Sequence, residues 1–327
     1  MDLFAGTSEG VFQITDGIAK KVLDCRGVRE IVCFNGRVFA GTGNGLYVSD
    51  DGGASWLLTT LRDVAVWQIR QGVQGKLYAG TAPTGLFRSE DWGYTWTEVE
   101  SLSRLAKEKG WCIPVDPPLP AAARALVVKD ERLWVGVEVG GIAISQNAGE
   151  TWSVVLPGGN PDLHMIFPFP GNEEILFAST GYGRLDGVAD MVEGNAGVFR
   201  SEDGGNSWVY TWEGVTPRYS RPMCIDHRPP FGLTVASAPT AFSSYRQELG
   251  AEAMLFRSED RGDTWHSLGD KDHSPSHANF HGLTVNPLVP GGILVGTDTG
   301  EIWSVSGHAE WELLVKDIPA VVSITCV

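Results

Sequence analysis

Apolar and polar residues alternate along this chain in short runs separated by glycine-containing turns. The clearest set runs from Val64 to Gln71, Lys76 to Thr81, Gly85 to Ser89 and Thr95 to Val99. Because successive side chains of a strand point to opposite faces, four such runs in a row predict a four-stranded antiparallel sheet, the unit of a propeller blade. The second run carries a signature, Ala-Gly-Thr or a relative. It recurs at Leu3 to Thr7, Val38 to Thr42, Leu77 to Thr81, Leu133 to Val137, Leu176 to Thr180, Leu233 to Ser237 and Ile293 to Thr297, which predicts seven blades. The chain opens on a second strand and ends, over Pro319 to Val327, on what reads as a lone first strand. The C-terminal strand is therefore expected to complete the N-terminal blade, and closure of the ring removes the free edges of an open sheet. Residues 1–327 are read as a single all-β domain, a seven-bladed β-propeller.

A pattern Ser-x-Asp-x-Gly-x-(Ser/Thr)-Trp falls between the third and fourth strands of five units, at Ser49 to Trp56, Ser89 to Trp96, Ser145 to Trp152, Ser201 to Trp208 and Ser258 to Trp265. The third copy has Asn147 in place of Asp, and a sixth, decayed copy keeps Ser304 and Trp311 but has Ser306 and His308 where Asp and Gly are expected. A tight turn needs its amide donors satisfied. Asp accepts them, Gly permits positive φ, and Trp buries a large ring. The repeated aspartates, Asp51, Asp91, Asp203 and Asp260, are therefore read as turn residues and not as catalytic acids.

With these boxes the chain resembles the Asp-box, or bacterial neuraminidase repeat, propellers, a group that includes sialidases, xyloglucanases, sortilin-type receptors and photosystem II assembly factors. The resemblance implies a propeller whose boxes lie on the face away from any active site. It does not imply one activity, since the group holds hydrolases, receptors and assembly factors. The chain lacks the Arg-Ile-Pro motif of sialidases and has seven units where sialidases have six, so typical sialidase chemistry is not expected.

The net charge of −15 argues against nucleic acid or an anionic membrane as partner. The N-terminus enters a strand at once, and no run is long and apolar enough to span a bilayer, so neither a secretory leader nor a membrane anchor is expected. Five scattered cysteines without C-x-x-C spacing fit a reducing cytoplasm better than a disulfide framework.

Strand connectivity sorts the loops between two faces. The long insertions, Glu100 to Ala123, Gly181 to Gly197, Gly214 to Pro222, Ala238 to Ala253 and Gly269 to Phe280, all fall on the face opposite the boxes, the usual seat of binding and chemistry. When the first strands are aligned on Ile31, Ile69, Leu126, Ile166, Ile225, Leu283 and Ile324, the residues two places earlier are Arg29, Trp67, Arg124, His164, Met223, His281 and Val322, with Arg221 two further upstream of Met223. Guanidinium forks pair with planar oxyanions and an indole offers a stacking face. Arg29, Arg124 and Arg221 are thus expected to anchor an anionic or sugar-like ligand, with Trp67 and Trp111 stacking on it. The competing expectation is that these arginines pair with neighbouring carboxylates and simply close the channel.

His164 and His281 are candidate acid–base groups. Among the carboxylates on this face, Glu138, Asp186, Asp190, Glu193, Glu248, Asp298 and Glu301, the better candidates are Glu138 and Asp298, which follow second strands closely. One reading has Ser274 and Pro275 cap a short helix that places His277 and His281 on one face as a divalent metal pair, with His164 as a further ligand; the favoured alternative is a solvated, polar loop without a metal. The functional expectation is a site for a small anionic or sugar-like ligand, a small molecule or carbohydrate, at the long-loop mouth of the channel, with glycosidase- or lyase-like chemistry there left open. The alternative is a non-enzymatic scaffold that holds a protein partner on the same face.

Overall fold

The computed structural model describes residues 2–182 and 191–327. They form seven four-stranded antiparallel sheets and one two-stranded hairpin, Cys112–Ile113 with Leu119–Pro120. Blades 1 to 7 begin, at the axis, with Val321–Cys326, Glu30–Phe34, Ala65–Gln71, Ala123–Lys129, Leu163–Phe169, Tyr219–Ile225 and Phe280–Val285. Each innermost strand touches that of the next blade, and the contacts run round to the start. The ring closes as the alternation predicts: Val321–Cys326 pairs antiparallel with Leu3–Thr7, and Ala5 lies opposite Ile324.

The blades are joined by apolar layers between their faces. Between blades 2 and 3, Phe39, Val48 and Leu61 meet Val66, Ile69 and Leu77, all buried. Second strands are buried on both faces because each is covered by two neighbouring blades, and this explains the signature glycine. A Cβ on Gly80 would stand 2.3 Å from the Ala123 carbonyl oxygen of the following blade. In blade 5 the same place is taken by Ser179, whose hydroxyl donates to the Arg221 carbonyl at 3.1 Å.

All five boxes close as turns. Ser49 Oγ accepts the Gly53 N–H at 2.8 Å, while Asp51 accepts the Ser55 N–H at 2.8 Å and the Ser55 hydroxyl at 2.6 Å. Those bonds, led by the Ser55 hydroxyl, hold the Asp51 carboxyl down to about 2. Gly53 has φ +87°, and its α-carbon packs so closely on Phe4 of the previous blade that a side chain is excluded. Asn147 preserves the same backbone bond, to Thr151 N–H at 3.0 Å, with its carbonyl oxygen. We therefore expect Asp203→Asn to be nearly neutral. Asp203→Ala should lose roughly 1 kcal/mol in urea unfolding, the usual value of a side-chain oxygen that caps turn donors. Equal losses for the two variants would contradict this account of the box.

Two expectations for the long-loop face are corrected. The insertion after blade 3 is not only loop: Glu100–Lys109 is a helix that buries Leu102 and Ala106 and ends at Gly110 with φ 65°. The segment after Ser274 and Pro275 forms no helix. Ser276 instead bridges Ala253, and the chain passes directly into the strand Phe280–Val285. The inter-chain-segment bridge supplies the backbone partners that a helix would otherwise have provided.

Candidate functional site

Six of the innermost strands carry a β-bulge at the same level. The extra residue is Trp67 between Val66 and Gln68, Arg124 between Ala123 and Ala125, His164 between Leu163 and Met165, and His281 between Phe280 and Gly282. In blade 1 it is Val322, and in blade 6 two residues, Arg221 and Pro222, lie between Ser220 and Met223. In blade 2 the Arg29 N–H bonds to the Gly41 carbonyl at 2.7 Å while Glu30 already lies opposite Gly41. A bulge re-aims a side chain out of the alternation. Here it turns seven rim residues, Arg29, Trp67, Arg124, His164, Arg221, His281 and Val322, toward one cavity of about 520 Å³ at the axis.

Blade 6 departs from the expected alignment. Met223 lies opposite Val235, as Ile69 lies opposite Ala79, so Met223 and not Ile225 is its central apolar residue. Met223 is fully buried in the core between blades, and the rim place belongs to Arg221.

The rim carries more positive charge than its carboxylates neutralise. Arg124 Nη1 pairs with Glu138 Oε1 at 2.8 Å. Arg29 and Arg124 lie on the Trp67 ring, at 4.5 and 5.0 Å from its centroid. Arg221 donates to the Tyr219 hydroxyl at 2.9 Å and covers the Tyr219 ring, but its buried Nε has no acceptor. Among the described residues no carboxylate lies within ion-pairing distance of Arg29 or Arg221. Partial burial, reinforced by the charges of Arg124 and Arg221, lowers the Arg29 guanidinium below its usual range. Burial and then the same two arginines push His281 down to about 3, so it is neutral at physiological pH.

His164 is wholly buried. Its Nδ1 donates to the Ser220 carbonyl at 2.6 Å, since a carbonyl only accepts, and its Nε2 lies 3.3 Å from Asp162 Oδ1. Burial raises the Asp162 carboxyl, yet His164 and then Arg124 outweigh it and hold the group below the usual carboxylate range. Asp162, Tyr219 and the pair Glu30–Arg70, joined at 2.7 Å, were not foreseen in sequence. Asp162 and Tyr219 each lie two residues before a rim residue, a spacing that would have found them.

Other expected site residues do not join the rim. Trp111 packs against Gly140 and borders a separate groove of about 790 Å³ along the helix Glu100–Lys109. Asp298 does not line the channel cavity. It accepts the Asn279 N–H at 2.8 Å, and burial raises its carboxyl. His277 is exposed and its carbonyl receives the Ala251 N–H at 2.8 Å, so the helical pairing with His281 is absent. Among the described residues no group of three or more His, Cys, Asp or Glu is placed to hold a metal ion. Asp186 and Asp190 lie outside the described residues. Glu193 pairs with Arg218 at 3.4 Å and Glu301 accepts the Trp303 indole N–H at 3.1 Å.

The chain folds as a seven-bladed β-propeller whose boxes close as Asp-box turns. The BNR-Asp box repeat family description matches residues 255–268, one copy of the five. Comparison with curated proteins by sequence gives no match. Among solved structures, an ancestral GH74 enzyme is similar at TM-score 0.62 and 13% identity, covering 92% of this chain and 37% of its own. The GH74 xyloglucanase from Xanthomonas campestris is similar at TM-score 0.61 and 16% identity over 95% of this chain, which spans 46% of that enzyme. YCF48 bound to D1 peptide is similar at TM-score 0.55 and 16% identity, over 88% of this chain and 82% of that one. At these identities the likeness is one of fold. Among the described residues no helix is long and apolar enough to cross a membrane.

Proposed function

We propose that the long-loop mouth of the channel binds a small anionic ligand, held by Arg29, Arg124 and Arg221, with Trp67 as its stacking face. The observation that carries this reading is the surplus of cations: among the described residues two of the three arginines have no carboxylate within ion-pairing distance, in a chain of net charge −15. Buried like charges are costly, and an oxyanion entering between them would satisfy Arg221 Nε and relieve the repulsion on Arg29. The cavity volume suits a small molecule. Binding is favoured over glycoside hydrolysis because a glycosidase needs one carboxyl held protonated. Glu138 and Glu30 are paired with Arg124 and Arg70, and Asp162, held below the usual carboxylate range, accepts the Tyr182 N–H at 2.8 Å. The five cysteines are all free, which fits a reducing compartment such as the cytoplasm.

A second reading has one observation behind it. Phe242 and Leu249, on an insertion of the same face, are 77% and 76% exposed, and a YCF48 structure with a bound peptide shares the fold. On that reading the anion is a carboxylate of a protein partner.

The test is thermal melting with a panel of small carboxylates, sugar acids and phosphorylated sugars, in low and high salt. At least one anion should raise Tm, less so in high salt. Arg221→Met should melt no lower than the parent without ligand, yet lose the ligand shift, because a charge-assisted bond of roughly 1.5–3 kcal/mol corresponds to about tenfold or more in Kd. A shift that survives in both Arg221→Met and Arg29→Met would remove the proposed site.

A further inference from the structure

An innermost strand has a free edge toward the axis, and the N–H groups on that edge need acceptors. In three blades a side chain of the preceding blade provides one. Ser323 Oγ accepts the Ile31 N–H at 3.1 Å, Glu30 Oε2 that of Ile69 at 2.5 Å, and Gln68 Oε1 that of Leu126 at 2.8 Å. In each case the donor lies two residues after its own blade's rim residue. The acceptor immediately follows the rim residue of the preceding blade.

The same register holds in the other four blades, where Ile166, Met223, Leu283 and Ile324 lie opposite Ala178, Val235, Val295 and Ala5. Their amides therefore point toward the axis as those of Ile31, Ile69 and Leu126 do. The residues in the acceptor position are now Ala125, Met165, Pro222 and Gly282, none of which has a side-chain oxygen. Two of these open donors, at Leu283 and Ile324, belong to residues that line the cavity, beside Arg221 and His281.

We infer that the Leu283 and Ile324 amides form a second binding tier below the arginine rim, so that the ligand is a small carboxylate with a second oxygen acceptor at its far end. A short dicarboxylate is the simplest member of that class. The inference rests on the anion-binding reading above and adds the shape of the anion. The channel already holds one carboxylate in this way: Glu30 places one oxygen on the Ile69 amide and the other on Arg70 at 2.7 Å. Rim and amide tiers are two strand residues apart, about 6–7 Å at roughly 3.3 Å per residue, which a four- or five-carbon chain spans. Met165, Phe167 and Leu283 line the same cavity and would meet its methylenes.

Calorimetric titration with succinate, succinamate and butyrate tests this. Succinamate and butyrate carry one charge each and differ in the far acceptor. The unmodified protein should bind succinamate and succinate at least about fivefold more tightly than butyrate, the scale of one net hydrogen bond. Gly282→Ser copies the Ser323 latch onto the Ile324 amide. A Cβ at Gly282 stands 3.3 Å from Ile324 Cγ1, so the side chain fits with a small adjustment. Gly282→Ser should lower the preference for succinamate, with only the Leu283 amide left open, while leaving butyrate affinity unchanged, whereas Gly282→Ala should keep the full preference. Equal affinity for succinamate and butyrate in the unmodified protein overturns the amide tier and leaves the arginine rim standing, whether or not either variant folds. A preference that is undiminished in Gly282→Ser also overturns it. If the unmodified protein binds none of the three, the tier and the short-carboxylate ligand both fall, and a shift with another anion in the melting panel would still stand for the rim.

Discussion

Removal of residues 320–327 is expected to leave a chain that does not accumulate as soluble folded protein. The deletion takes away the strand Val321–Cys326, which is the innermost strand of blade 1 and the partner of Leu3–Thr7. Val321 and Ile324 are buried in the layer that joins blade 1 to blade 7, together with Leu3, Leu294 and Ile302. Full burial of such side chains contributes about 1.5–3 kcal/mol each. The lost ladder, and the Ser323 bond to the Ile31 amide at 3.1 Å, add to this. The sum is comparable with the whole stability of a domain, about 5–15 kcal/mol. The exposed edges of Leu3–Thr7 and its neighbours would then template aggregation. Solubility after expression and calorimetric melting check the expectation. Ile324→Ala is the milder companion, expected to lose about 2–4 kcal/mol while remaining folded. A truncated protein that melts within a few degrees of the full chain would falsify the closure.

The second large effect is acid sensitivity from His281. Burial and the charges of Arg221 and Arg124 place its folded value at about 3, against 6.5 for the ordinary group. Between those values the unfolded chain binds a proton that the native protein does not, so protonation favours unfolding as pH falls below 6.5. Stability should drop by up to about 1.4 kcal/mol per pH unit, or roughly 2–3 kcal/mol by pH 4.5. The carboxyls held low, such as Asp51 and Asp162, act further down, because their stabilisation is lost only as pH falls below the ordinary carboxylate range. Urea unfolding at pH 7 and pH 4.5 should therefore show a loss that His281→Asn greatly reduces. The same loss in the variant would assign the acid limb to other groups. A rim anion should also protect the protein more at pH 4.5 than at pH 7, since it favours protonated His281.

Legibility in the sequence followed the physics of each feature. The boxes were readable because a turn with fixed donors demands Asp or Asn, Gly and a hydroxyl at set spacing, and the structure meets that demand with local bonds. The rim residues Arg29, Trp67, Arg124, His164 and His281 share a cavity because one place in each first strand repeats. Trp111 and Asp298 were misplaced for a different reason: both sit on insertions or loop ends whose path depends on packing against the helix Glu100–Lys109 and on the Asn279 amide. His277 and His281 have the four-residue spacing of a helix, but the bridge of Ser276 to Ala253 turned the segment into strand and turn. Spacing selects a conformation only where no neighbouring chain competes for the backbone.

By itself, the sequence determined the number of blades, the closing strand, the box turns and the face that carries the long insertions. These depend on alternation, on glycine at positive φ and on local hydrogen bonds, all of which are written within a few residues. The tertiary structure alone decided which residues line the channel. Alternation is unchanged by a shift of two residues, so Met223 and Ile225 fit the blade 6 pattern equally well until Val235 selects Met223. The bulges that aim the rim inward and, among the described residues, the arginines without carboxylates and the amides without latches are relations between neighbouring blades. No single strand contains them.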